Sequence, residues 1–66
     1  MGGAYGRELK RILTVHGCRF VRHGKGDHEI WFSPISGRTF TVDAGTRKRF
    51  TAKAILKQAG IVSDEI

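Results

Sequence analysis

The chain has few of the residues that staple a small protein or break its regular structure: one cysteine, one proline and one methionine in 66 residues. A lone Cys18 cannot close an internal disulfide, which excludes the cross-linked secreted scaffolds common at this size. Cys18 reads instead as a small buried apolar residue. No apolar run approaches the ~18 residues of a spanning helix, and the amino-terminal stretch has no signal-peptide core. A soluble, cytoplasmic protein with no membrane association is expected. Acids are also scarce, six against twelve lysines and arginines. Groups able to do chemistry are correspondingly few. No serine sits in a G-x-S-x-G elbow, so a nucleophilic triad is not expected. His23 and His28 stand five residues apart without a Cys or carboxylate cluster at ligand spacing, which argues against a metal site.

What the chain does have is positive charge. A formal +6 on so short a sequence favours a polyanionic partner: nucleic acid, an anionic surface or an acidic protein. Solubility alone is the plainer explanation of the same surplus. The length allows one domain with a small core, so a partner would also add stability.

Residues 1–6 hold three glycines and little to bury, and are expected to be a flexible leader before a single domain at 7–66. Over 7–16, Leu9, Ile12 and Leu13 fall on one helical face, and Gly17 stops that helix. Residues 18–23 read as a first strand, Gly24-Lys25-Gly26-Asp27 as its turn, and 28–32 as a second strand closed by Ser33-Pro34. After a turn at 34–37, the alternation of 38–42 predicts a third strand with Phe40 and Val42 facing the core. Residues 43–49 read as a basic loop. Thr51 is the expected cap of a second helix in which Ala52, Ile55, Leu56 and Ala59 share a face, with Gly60 at its end. Helix, three antiparallel strands, helix is an α+β order, most economically a two-layer sandwich with both helices on one face of an open sheet.

Gly24-Lys25-Gly26 lacks the Walker pattern and reads as a hairpin turn rather than a phosphate cradle. His28 opens a strand after this turn, near Arg22, His23 and Lys25. Two roles are open to it: a strand-end histidine satisfied by a backbone carbonyl, or a proton-transfer group for a ribose 2′-hydroxyl or a leaving 5′-oxygen. Strand parity sets His28, Ile30 and Phe32 on one face and Glu29 and Trp31 on the other. If Ile30 and Phe32 are core, His28 lies at the rim beneath the helices. Alternatively Trp31 projects from the open face, to stack on a base or to lie against a long cationic stem. Arg22, Lys25, Arg47, Lys48, Arg49 and Lys53 are the candidates to hold a phosphate backbone, with a solvated surface as the alternative. Glu29 is a candidate to orient a group near the site.

Three segments together resemble the HicA toxins, small ribonucleases of toxin–antitoxin pairs with a double-stranded-RNA-binding-domain-like fold. They are Val15-His16-Gly17 with Phe20-Val21-Arg22, Gly26-Asp27-His28, and Ile55-Leu56-Lys57-Gln58-Ala59-Gly60-Ile61. The resemblance runs from about Arg7 to Ile61. It implies that His28 is the catalytic histidine of the family's Gly-Ser-His-like motif, here with Asp27 in the serine position. It further implies an mRNA-cleaving endoribonuclease needing no metal or other cofactor, paired with a HicB-type antitoxin. The segment Asp43-Ala44-Gly45-Thr46 is shorter than the Pro- and His-containing loop often found there. Fold alone supports the rival reading, a non-catalytic RNA-binding module.

Overall fold

The computed structural model describes residues 5–66. Its elements are α1 (Gly6–Val15), β1 (Arg19–His23), β2 (His28–Ser33), β3 (Arg38–Asp43) and α2 (Arg49–Gln58). The strands form one antiparallel sheet in the order β1-β2-β3. This is the α-β-β-β-α two-layer, double-stranded-RNA-binding-domain-like architecture expected.

Both helices end as their glycines dictate. At α1 the Cys18 amide donates to the Leu13 carbonyl at 2.9 Å and the Gly17 amide to Thr14 at 3.0 Å. At α2 the Ile61 amide donates to Leu56 and the Gly60 amide to Lys57, each at 3.0 Å. Gly17 and Gly60 have φ of 87° and 80°, the left-handed conformation this paired closure requires. Leu13 with Cys18, and Leu56 with Ile61, are all buried beside these closures.

The helix starts differ from expectation. Tyr5 and Gly6, read as part of a leader, belong to the fold: α1 begins at Gly6, and the Tyr5 amide donates to the Thr46 carbonyl at 3.1 Å. Gly6 is buried so closely that an added Cβ would overlap the Ala44 carbonyl oxygen. The rest of the expected leader, residues 1–4, lies outside the described residues. Helix α2 begins at Arg49, inside the expected basic loop, because the Ala52 amide already closes on the Lys48 carbonyl at 3.1 Å. Lys48 rather than Thr51 is therefore the cap residue, and it gives no side-chain cap bond.

One face of the sheet supplies the core. Trp31 pairs with Phe40, Glu29 with Val42 and Ser33 with Arg38. Trp31, Phe40 and Val42 pack with Leu9, Ile12 and Leu13 of α1 and Ala52, Ile55 and Leu56 of α2. Ser33 is fully buried, and its hydroxyl donates to the Ala59 carbonyl at 2.6 Å, joining the far end of β2 to the end of α2. The opposite face, with Ile30 opposite Thr41 and Phe32 opposite Thr39, carries no helix. Trp31 is thus a core residue at 6 % exposure, and its placement on the open face is corrected. The rim position beneath the helices falls with it: His28 shares a face with Ile30 and Phe32, and that face is the open one.

Candidate functional site

His28 is the first residue of β2. Its backbone is fixed from both sides of the Lys25-Gly26-Asp27 turn: its amide donates to the Lys25 carbonyl at 3.0 Å, and its carbonyl accepts from the Gly24 amide at 2.8 Å. Ladder and turn bonds leave the side chain as the free part of the residue, exposed on the open face. Its cross-strand partner on β3 is Asp43. Directly opposed residues hold their Cβ atoms roughly 5 Å apart, which sets half-buried Asp43 next to His28 on the same face of the sheet.

The Asp43 carboxylate is itself anchored. Its Oδ1 accepts from the Gly45 amide at 2.9 Å, while the Asp43 carbonyl accepts from the Thr46 amide at 3.1 Å. Asp27 reaches the same loop: its carbonyl accepts from the Ala44 amide at 3.0 Å. A Cβ on Gly45 would stand 3.5 Å from both Asp27 Oδ2 and Asp43 Oδ1, so the two carboxylates converge over that glycine. The turn before His28 and the loop after β3 therefore form one connected edge. Asp43 escaped the sequence reading, although the four-residue turn between β2 and β3 sets a register that carries His28 opposite position 43.

The candidate cations divide by place. Arg22 faces Ile30 across β1 and β2, one step diagonal from His28 on the open face, and Lys25 lies in the turn. Arg47 and Lys48 lie in the loop that leaves Asp43, and Arg49 begins α2. All five are exposed at the His28 end of the molecule. Among the described residues the ion pairs are Lys10–Glu29, Arg11–Glu8 and Arg11–Glu65, so none of these five is neutralised by one. Lys53 is apart from them. It lines a cleft of about 360 Å³ between α2 and the carboxy-terminal tail, with Leu56, Lys57, Ile61 and Val62.

Glu29 is not a partner of His28. It points to the helix side, where Oε2 accepts from Lys10 Nζ and Oε1 from the Trp31 indole N–H, each at 2.9 Å. Burial works to raise its carboxyl. The bonds from Trp31 and Lys10, with the charges of Lys10 and His23, outweigh burial and hold the pKa below its ordinary value. His16 is a satisfied helix-end histidine, its Nδ1 lying 2.9 Å from the Ile12 carbonyl. Cys18 is buried, and no metal-sized cluster of His, Cys, Asp or Glu occurs among the described residues. No described helix is long and apolar enough to cross a membrane.

A small α+β domain with a double-stranded-RNA-binding-domain-like fold, and an exposed histidine on the bare sheet face, defines the class. The family model of the HicA toxin of bacterial toxin–antitoxin systems matches residues 6–61, and the chain belongs to that family. No curated protein and no solved structure matches it.

Proposed function

We propose that the chain is the toxin of a toxin–antitoxin pair that blocks translation by cutting mRNA in the cytoplasm, with His28 as the catalytic group and no metal. The observation that carries the reading is the setting of His28: exposed on the open sheet face, opposite an anchored carboxylate, at the end of the sheet whose turn and loop carry exposed cations outside the described ion pairs. Arg22 and Lys25, with Arg47 to Arg49, hold the phosphate backbone. The imidazole takes the proton of a ribose 2′-hydroxyl as its oxygen bonds to the adjacent phosphorus. The bond from phosphorus to the 5′-oxygen breaks, that oxygen leaves with a proton drawn from water, and the imidazolium returns its proton to the hydroxide, restoring the neutral ring. The products are a 2′,3′-cyclic phosphate and a free 5′-hydroxyl end. Asp43 acts through His28: with Oδ1 held by Gly45, its other oxygen is available to accept from the ring and to favour the imidazolium that forms. A HicB-type antitoxin encoded beside the toxin, acidic where this face is basic, would cover the site.

The test is incubation of the purified chain with mRNA in a chelator, beside His28→Ala and beside the native chain mixed with its encoded neighbour. The reading predicts cyclic-phosphate ends with the native chain, at least ~100-fold slower cleavage by the variant, and suppression by the neighbour. RNA bound but left intact by the native chain would instead establish a non-catalytic RNA-binding module.

A further inference from the structure

Every aromatic residue of the described chain except one has a partner. Trp31 and Phe40 are in the core and Tyr5 packs against it. Phe20 meets the rings of His23 at 5.0 Å and Trp31 at 6.4 Å, and the Arg19 guanidinium lies 5.0 Å over Phe32. Phe50 has none of these contacts and is 81 % exposed. On α2 it lies across the helix from Ala52 and Ala59, which face the core, so it adds nothing to the fold that a polar residue would not.

Its neighbours along the chain are mostly cationic. Arg47, Lys48 and Arg49 precede it, and Lys53 follows one turn later. Among the described residues none of these is held in an ion pair. Phe50 is also joined to the histidine site by a short path of chain. Thr46 is tied to Asp43 by its amide at 3.1 Å, and the four residues from Thr46 to Phe50 span at most about 14 Å. A flat apolar ring within a field of positive charge matches the chemistry of an unpaired nucleotide, which offers a π-face beside a phosphate. An apolar protein surface would match the ring but not the charge, and duplex RNA would match the charge but keep its bases stacked away.

We propose that Phe50 is a stacking anchor for an unpaired base of bound RNA, one step along the strand from the residues at His28. It would bias the chain towards single-stranded segments over duplex. The proposal rests on the RNA-binding part of the reading above and not on cleavage.

Binding is measured with the His28→Ala chain, so that the RNA stays whole, using a single-stranded oligoribonucleotide and inorganic polyphosphate of similar charge. Phe50→Ala is expected to weaken oligonucleotide binding roughly five- to 100-fold and to leave polyphosphate binding unchanged. Phe50→Trp should restore affinity and show indole fluorescence quenched by the oligonucleotide but not by polyphosphate, the native Trp31 being buried. Equal affinities for the parent and Phe50→Ala chains, or an unquenched indole at saturation, would overturn the anchor while leaving RNA binding intact. Loss confined to binding of the encoded neighbour would also overturn it and make Phe50 a protein contact. Failure of the parent to bind the oligonucleotide at all would remove the RNA reading together with the anchor.

Discussion

Asp43 and His28 face each other across two strands, and each is held by its own backbone bonds rather than by the other. The pair can therefore be separated by substitution without unravelling the site. Asp43→Asn keeps an oxygen for the Gly45 amide and removes the charge that favours a protonated imidazole. In the cleavage assay kcat should fall roughly tenfold with KM little changed, the size of a ~1.4 kcal/mol interaction made only in the transition state. Asp43→Glu should recover part of the loss. A rise in KM with kcat intact would make Asp43 a binding residue instead. The motif made His28 legible in the sequence, but its face was not. β2 has apolar or aromatic residues at both parities, Ile30 and Phe32 against Trp31, so alternation within the strand could not choose between them. β3 decided it, because Thr39, Phe40, Thr41 and Val42 alternate cleanly and the register locks Trp31 to Phe40. Phe50 carries no such signal: it falls between the basic loop expected at 43–49 and the cap expected at Thr51, and the structure extends α2 back to Arg49 to include it.

Among the elements, the tie between α1 and β2 carries the clearest pH dependence. Glu29 joins Lys10 of the helix to Trp31 of its own strand, and its carboxyl is held below the ordinary value of 4.5. A depressed folded-state value means that the unfolded chain takes up the proton first as pH falls. The stabilisation is complete at neutral pH, weakens from about 4.5 downward, and is gone below the folded-state value. Glu29→Gln keeps an acceptor for the Trp31 indole and removes the titration. Urea unfolding followed between pH 7 and pH 3 should show the native chain converging on the Glu29→Gln chain as acid is added, with the native chain the more stable at pH 7. Parallel curves over that range would deny the linkage. The helix ends show where sequence is a sufficient guide and where it is not. Gly17 and Gly60 announced both C-termini, since a left-handed residue is needed there and glycine supplies it. The N-termini had no such marker. α1 starts at a buried glycine pressed on Ala44, a contact distant in sequence, and α2 starts after a cap lysine that gives no side-chain bond, so neither start is marked by a capping residue.

At the scale of the whole molecule, charge is sorted by end. Of the twelve lysines and arginines, Lys10 and Arg11 alone form ion pairs among the described residues. Arg22, Lys25, Arg47, Lys48 and Arg49 gather at the end where the two N-termini, the β1–β2 turn and the β3–α2 loop meet. Composition announced the surplus, but only the fold could bring Arg22 and Lys25 beside a loop more than twenty residues away. If these five contact a single strand of RNA, binding should release counterions in proportion. The logarithm of the affinity should then fall against that of salt concentration with a slope of about −3.5. Arg49→Ala removes one contact and should bring the slope to about −2.8. Arg38, also exposed but opposite Ser33 at the far end of the sheet, serves as the control, and Arg38→Ala should leave the slope where it was. Equal reductions from both substitutions would mean that RNA responds to net charge alone. A reduction confined to Arg49→Ala would mean that it docks at the end where His28 stands.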